Sequence, residues 1–196
     1  ATRVNADGNI EKETSNLYSR SQEIENAIWS KARGSVTANA TTAPDGTTTA
    51  DLWTEDTSSG THDIRQPLTT ISGGFYTFSI YAKANGRSVL DVYIGGANKS
   101  ANFNLTTGLV TGGSAPIRKI EDVGSGWYRV SVGLLAASTT TTAIWILNNG
   151  STQSYTGDGT SGMYFWGGQA EQSLVARDYI ETTTTALYGG ITDNVP

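Results

Sequence analysis

The stretch YTFSIYAKANGRSVLDVYIGG, residues 76–96, alternates in side-chain character on both sides of a polar turn. Successive side chains of an extended strand point to opposite faces, so residues two apart share a face. By this spacing the apolar face of the first stretch carries Tyr76, Phe78, Ile80 and Ala82. The apolar face of the second stretch carries Leu90, Val92 and Ile94. The pattern therefore predicts two strands that each bury one face.

Similar segments recur along the chain, about ten in all, and turn signals separate them. The first of them, ATRVNADGNIEKE, predicts a hairpin with its turn at Asp7 and Gly8. Only residues 21–28 have a helical pattern, of just over two turns, with Ser21 as a possible N-cap. Short strands at regular spacing without long helices predict an all-β fold, an antiparallel β-sandwich of jelly-roll type.

The amino-acid composition argues against several kinds of catalytic and metal-binding site. The chain of 196 residues can bury a core without disulfides, and it contains no cysteine and one histidine, His62. Zinc sites need more His or Cys ligands than this, and no Gly-x-Ser-x-Gly elbow is present. We therefore expect no catalytic residue, no catalytic metal and no cofactor, and any bound cation should be calcium held by oxygen ligands.

Charge and hydropathy limit the partners. The net charge is −5 and no basic patch is present, so neither nucleic acid nor an anionic membrane surface is an expected partner. The apolar runs, such as residues 143–147, are far shorter than a membrane-spanning helix requires.

The sides of the strands opposite the core carry aromatic and charged residues. Trp145 is assigned to such an outward side because Ile144 and Ile146 fit the buried positions beside it. An exposed aromatic cluster is typical of a binding site, and sugar rings stack on Trp and Tyr while their hydroxyls bond to polar groups. The candidate ligand-binding residues are Tyr81, Lys83, Asp91, Tyr93, Arg129 and Trp145. The alternative is that a loop or the C-terminal tail covers this sheet and makes the aromatic residues a second core.

Other acidic residues have simpler interpretations. Asp158 lies in TGDGTSG, and an Asp-Gly pair is typical of a turn rather than of a cation site. The local group of Asp51, Glu55 and Asp56 is interpreted as a solvated strand end.

Five segments, NLYSRSQEIENAIWSK, TANATTAPDGTTTADLWTED, YTFSIYAKA, IEDVGSGWYRVSV and SYTGDGTSGMYFWGGQAE, resemble a module of bacteriophage tail and virion-surface proteins. That module looks like the jelly-roll carbohydrate-binding modules of polysaccharide-degrading enzymes. The resemblance spans residues 16–171 and implies a place on a virion surface or outside the cell, beside other domains of a longer virion protein. Enzyme-attached relatives often carry a structural calcium, but the last strand, WGGQAE, lacks their paired aspartates. The metal ligands are therefore left unassigned.

The flanking segments also resemble those that bracket this module in phage chains. We therefore predict an N-terminal hairpin or linker at 1–15, a carbohydrate-binding-like domain at 16–175 and a C-terminal tail at 176–196. Three functions remain open. The first is a non-catalytic module that binds polysaccharide, and the second is a purely structural or assembly module. The third is a jelly-roll polysaccharide lyase or hydrolase, for which Tyr81 and Lys83 are candidates although the Gln-x-His strand of such lyases is missing.

Overall fold

A computed structural model describes residues 15–187 and, for the N-terminal segment, the backbone of two short strands. In chain order the strands are β1 (Thr2–Val4), β2 (Ile10–Lys12), β3 (Ser30–Ala32), β4 (Gly34–Thr41), β5 (Ala50–Glu55), β6 (Ser59–Thr69), β7 (Phe75–Asn85), β8 (Val89–Gly95), β9 (Lys99–Asn104), β10 (Leu109–Gly112), β11 (Ile117–Gly124), β12 (Trp127–Leu135), β13 (Thr140–Asn148), β14 (Ser154–Thr156) and β15 (Gly162–Glu171). The described part of the chain has no helix that could span a membrane.

The strands after the hairpin form two antiparallel sheets. The first sheet has the order β10-β9-β8-β13-β6-β14, with β3 also paired to β6, and the second has the order β11-β12-β7-β15-β5-β4. The sheets enclose one large core, so the predicted jelly-roll β-sandwich is confirmed. β1 and β2 pair antiparallel with each other, and the turn predicted at Asp7 and Gly8 lies outside the described residues.

The core faces follow the predicted alternation in β7 and β8. The predicted inward residues of both strands are all buried, with at most 4% of their surface exposed. The prediction fails in β13, where Trp145 is 1% exposed and packs in the core, while Ile144 is half-buried on the outward side. Five apolar residues in a row, 143–147, give no alternation, and a shift of one residue reverses every side chain.

The helical pattern at residues 21–28 does not form an α-helix. The segment is a series of turns in which the N–H groups of Glu23, Asn26 and Trp29 each donate to the carbonyl three residues before. Bonds spaced in this way do not propagate as the i to i−4 ladder of an α-helix. Ser21 does not cap a helix; its Oγ accepts a hydrogen bond of 2.8 Å from the N–H of Thr182.

The interpretation of the acidic group as a solvated strand end is wrong for two of its members. Asp51 and Glu55 are 1% and 2% exposed, and only Asp56 is solvated. The Asp51 carboxylate accepts hydrogen bonds from the N–H groups of Ile24 at 2.7 Å and Asn39 at 2.9 Å. Alternation missed this because both carboxylates occupy inward positions that the pattern assigns to apolar side chains.

Asp51 makes the stability of the fold depend on pH. Burial raises the pKa of Asp51 to about 7; the bond from the Asn39 N–H opposes the rise, and the Glu25 carboxylate adds to it. The pKa of Asp51 is therefore higher in the folded protein than its unfolded value of 3.8. Asp51 contributes its full stabilisation of the fold below pH 3.8, and this stabilisation is lost as the pH rises through about 7.

We expect Glu25→Gln to stabilise the protein in alkaline but not in acidic solution. Removing the neighbouring negative charge lowers the pKa of Asp51, and one pKa unit corresponds to about 1.4 kcal/mol of unfolding free energy. Urea unfolding should therefore show a gain above pH 7 that stays below about 1 kcal/mol, because Glu25 is exposed to solvent and also attracts the Lys31 ammonium. Glu121→Gln, which removes a charge paired with Lys119, is the control. An equal gain at low and high pH would show that Glu25 does not act through Asp51.

Candidate functional site

The structure separates the six candidate residues between the two sheets. Tyr81, Lys83 and Arg129 lie on the second sheet, and Asp91, Tyr93 and Trp145 lie on the first. The prediction of one outward face that carries all six is therefore wrong. Its cause is the connection after β7, which takes the chain from the second sheet to the first, so that β7 and β8 follow each other in sequence but are not paired.

The outward side of the second sheet is overlaid by two segments, and we call it the covered face. The first segment is the loop between β4 and β5. The indole N–H of Trp127 donates to the carbonyl of Thr42 at 3.1 Å, and that of Trp166 donates to Oγ1 of Thr49 at 2.9 Å. Trp127 and Trp166 are 1% and 4% exposed, so neither ring is available as an open stacking platform.

The second segment over the covered face is the chain after β15. The ring of Tyr179 lies 4.6 Å from that of Trp166 and 6.1 Å from that of Tyr81, measured between centroids. The hydroxyl of Tyr179 is hydrogen-bonded to the hydroxyl of Ser21 at 2.7 Å. The aromatic residues of this sheet thus form a second core, which is the alternative that the sequence left open.

The same segment also satisfies buried polar groups of β15. The N–H of Ile180 donates to Oε1 of Gln169, and the N–H of Arg177 donates to Oε1 of Glu171, both at 2.9 Å. Burial raises the pKa of Glu171, and the bond from the Arg177 N–H opposes that rise. The segment is therefore bound to the sandwich by directed hydrogen bonds as well as by ring contacts.

The two cationic candidates lie at the margin of the covered face. Arg129 is 8% exposed, donates to Oγ of Ser79 at 3.2 Å, and places its guanidinium carbon 5.3 Å from the ring centroid of Tyr81. This geometry is that of a cation–π contact, which holds Tyr81 and Arg129 against each other. Lys83 is half-buried and lines a cleft of about 380 Å³ between residues 41–46 and 123–125.

The outward side of the first sheet is open around Tyr93. We call it the open face and define it by Arg65, Tyr93, Gly95, Thr142 and Ile144. Tyr93 is 37% exposed, and every other aromatic residue of 15–187 is less exposed. Its hydroxyl donates to Oδ1 of Asn98 at 3.2 Å, which restrains the ring.

Asp91 lies two residues before Tyr93 on β8, and the side-chain amides of two asparagines donate to its carboxylate. Asp91 is 1% exposed, and Nδ2 of Asn148 donates to its Oδ2 at 2.7 Å. Nδ2 of Asn102 donates to the other carboxylate oxygen. Both oxygens therefore have partners in the protein, so Asp91, on the same side of β8 as Tyr93, is engaged by neighbouring side chains rather than presented to a ligand.

A shallow groove of about 470 Å³ crosses the open face next to Tyr93. Its lining comes from four elements: Ser30, Arg65, Pro67, Gly95, Gly96, Thr140, Thr142 and Ile144. Strand register brings them together, since Ile144 pairs with both Arg65 and Tyr93, and Thr142 pairs with Pro67 and Gly95. The groove thus combines apolar side chains, hydroxyls and one guanidinium.

The end of β15, where the resemblance places calcium in related modules, holds Gln169 and Glu171. Nε2 of Gln169 donates to Oε1 of Glu171 at 2.9 Å. Within the described residues, no three His, Asp or Glu side chains come together at one point. The prediction that any bound cation is calcium held by oxygen ligands stays a prediction.

The comparisons with known proteins bear on the fold. The sequence matches no protein-family model and no curated protein. Among solved structures, TmCBM61 in complex with β-1,4-galactotriose is similar with a TM-score of 0.51 at 9% identity, covering 82% of this chain and 100% of that chain. This chain has a carbohydrate-binding-module-like fold.

Two further structures are similar at lower TM-scores. The CBM22-1 xylan-binding domain from Paenibacillus barcinonensis Xyn10C has a TM-score of 0.49 at 13% identity, covering 85% of this chain and 99% of that one. The enzymatically active domain of tailspike protein 4 from bacteriophage CBA120 has a TM-score of 0.48 at 13% identity. The match covers 81% of this chain and 21% of the tailspike chain, so this chain spans about a fifth of the tailspike's length.

The groove residues were missed at the level of sequence. Arg65 and Pro67 alternate with buried residues in DIRQPLT, so their outward position was readable, but nothing in that segment marks a site. Gly95 reads as part of a turn. Only the register between β6, β13 and β8 shows that residues so far apart in the chain line one groove.

Proposed function

We propose that this chain is a non-catalytic glycan-binding module whose binding surface is the open face around Tyr93. The observation that carries the proposal is the exposed, hydrogen-bonded Tyr93 ring on the strand partner of Ile144, which lines a groove with apolar and hydroxyl-bearing walls. A ring restrained in this way loses little conformational freedom when a ligand stacks on it. The covered face has no comparably exposed aromatic residue.

The chemistry of the open face suits carbohydrate. A pyranose presents an apolar C–H face, which Tyr93 and Ile144 can contact, and hydroxyls, which Arg65 and Thr142 can bond. Ring contacts of this kind contribute on the order of 1 kcal/mol each. One ring and a few exposed hydrogen bonds, less the cost of ordering a flexible chain, lead to dissociation constants of about micromolar to millimolar.

Two further observations support the proposal. The fold is shared with TmCBM61, a structure in complex with β-1,4-galactotriose. The segments that resemble phage tail and virion-surface modules extend the proposal to a place on a virion surface, where weak binding sites act together when several copies are displayed.

A lyase is disfavoured by the surroundings of Tyr81. A tyrosine that abstracts a proton works best with a lowered pKa. Burial raises the pKa of Tyr81, although the Arg129 charge opposes the rise. Tyr81 also packs beneath Tyr179, within the second core. We therefore infer that Tyr81 and Lys83 are not a catalytic pair.

The test is retention of the protein in gels that contain single polysaccharides. Wild type should be retarded by at least one of galactan, xylan, mannan, polygalacturonan and alginate. Tyr93→Ala should weaken that binding about five- to tenfold, since loss of one ring contact costs about 1 kcal/mol. The melting temperature should stay nearly unchanged because Tyr93 is already 37% exposed.

Two variants serve as controls. Tyr93→Phe keeps the stacking ring and should retain most of the binding. Lys83→Ala alters only the margin of the covered face and should bind as wild type does. If wild type binds no polysaccharide, the structural or assembly module replaces this proposal. If Lys83→Ala loses binding while Tyr93→Ala keeps it, the binding surface is on the second sheet.

A further inference from the structure

Gly95 lies on the floor of the groove, and neither backbone nor packing requires a glycine there. A Cβ at this position would come no closer than 3.7 Å to the carbonyl oxygen of Thr142, which is an ordinary contact distance. Its φ angle is outside the left-handed region. Gly96 differs in both respects: its φ is +86°, and a Cβ there would lie 2.6 Å from the carbonyl oxygen of Thr140.

A glycine at the end of a strand without a structural requirement has a cost. Glycine is disfavoured in strands because of its backbone entropy and the missing side chain. Within sheets it often marks a place where a ligand or another backbone approaches closely. No other backbone of the described residues approaches the Gly95 position within van der Waals contact except that of Thr142, its strand partner. The space above Gly95 is therefore open with respect to residues 15–187.

The charged groups at and beside the groove include one guanidinium and two buried carboxylic acids. Arg65 is the one cation of the lining, and its Nε lies 3.6 Å from Oδ1 of Asp63, which is 3% exposed. Asp91 is a second buried acid on the same side of the sheet, and both acids pair with Ile146, next to the row of Arg65, Ile144 and Tyr93. A carboxylate or sulfate on the ligand would find one guanidinium that Asp63 partly neutralises and two acids nearby, which disfavours acidic chains.

We propose that the groove over Gly95 receives one uncharged pyranose ring and that Gly95 determines specificity by leaving room for it. This inference rests on the proposed function of the open face. The ring lies between Ile144 and Pro67 with hydroxyls directed at Arg65, while the next ring of the chain stacks on Tyr93. Gly95 and Tyr93 lie two residues apart on the same face of β8, so their sites are contiguous.

The experiment fills the groove without disturbing the fold. In the gel assay and by calorimetry, Gly95→Ala should weaken binding about threefold and Gly95→Val more than tenfold. Both should melt at or above the wild-type temperature, because any side chain suits the strand better than glycine. Thr37→Leu, an enlargement at an exposed position of β4 on the other sheet, should change neither property.

The same panel of polysaccharide gels tests whether the ligand is uncharged. Neutral galactan, xylan or mannan should retard wild type more than polygalacturonan or alginate, and added salt should not weaken the binding. Stronger, salt-sensitive retention by the acidic polysaccharides would overturn the uncharged class. Wild-type-like binding by Gly95→Val would overturn the role of the groove and leave the proposed function standing. Absence of wild-type binding to every polysaccharide would overturn both.

Discussion

Trp145→Ala is expected to destabilise the protein by about 3–5 kcal/mol, the usual cost of deleting a large aromatic side chain from a core. Trp145 is 1% exposed and packs between the sheets. The loss is large against a domain stability of about 5–15 kcal/mol, so the urea concentration at the midpoint of unfolding should fall clearly. Polysaccharide binding should be lost only to the extent that the protein unfolds.

The neighbouring outward position supplies the control. Ile144→Ala removes an apolar side chain from the same strand, but from the half-buried outward side, so it should cost clearly less than Trp145→Ala. Trp145→Phe should lie between the two, because a smaller ring still fills part of the space. If Trp145→Ala loses binding at an unchanged melting temperature, Trp145 belongs to the binding site and the placement of β13 is wrong.

Arg87→Met is expected to cost about 3–5 kcal/mol at neutral pH, because it leaves a buried carboxylate without its counter-ion. Glu55 is 2% exposed, and Nε of Arg87 donates to its Oε2 at 2.9 Å. Oε2 also accepts from the Tyr155 hydroxyl at 2.6 Å, and Oε1 accepts from the N–H of Asp158 at 2.8 Å. Burial would raise the pKa of Glu55, but these bonds, led by those from Arg87, hold it below its ordinary value.

The dependence on pH distinguishes this cause from a loss of packing. In wild type the depressed pKa of Glu55 contributes stability above its unfolded value of 4.5, and this is lost as the pH falls through the lower native value. In Arg87→Met the carboxyl takes up a proton more readily, so the difference from wild type should shrink on acidification. Adding Glu55→Gln should recover part of the loss.

An exposed ion pair provides the comparison. Lys119→Met breaks the pair with Glu121, whose side chain is 39% exposed, and should change stability by less than about 1 kcal/mol. Equal effects of Arg87→Met and Lys119→Met would contradict the account of Glu55 as a buried, compensated charge.

The sequence predicted the fold class because alternation is a local property. In β7 and β8 polar and apolar residues alternate cleanly enough to fix which side is buried. Residues 143–147 are all apolar, so the phase of β13 depended on the sheets that enclose it. Residues 21–28 have helical spacing, but their backbone bonds to Asp51 and the segment after β15 instead.

The candidate site was predictable only in part. Alternation placed Tyr93 on an outward side, where the structure exposes it. It could not show that β7 and β8 lie in different sheets, or that Tyr179 packs against Tyr81. Gly95 has no side chain, so it contributes nothing to a pattern of polar and apolar residues. Arg65 lies at the groove because β13 pairs with both β6 and β8, which are distant in sequence. Such long-range register is a property of the assembled sandwich.

The most direct test of the open face is an NMR titration that follows the backbone amide chemical shifts of isotopically labelled protein. The ligand is an oligosaccharide of the polysaccharide that retards the protein most strongly in the gel panel. We expect the largest changes at residues 93–96 and 142–144 of the first sheet, with saturation at micromolar to millimolar concentration. Residues 81–83, 127–129 and 166 of the second sheet should stay unshifted. Shifts concentrated on the second sheet, with residues 93–96 unchanged, would contradict the assignment of glycan binding to the open face.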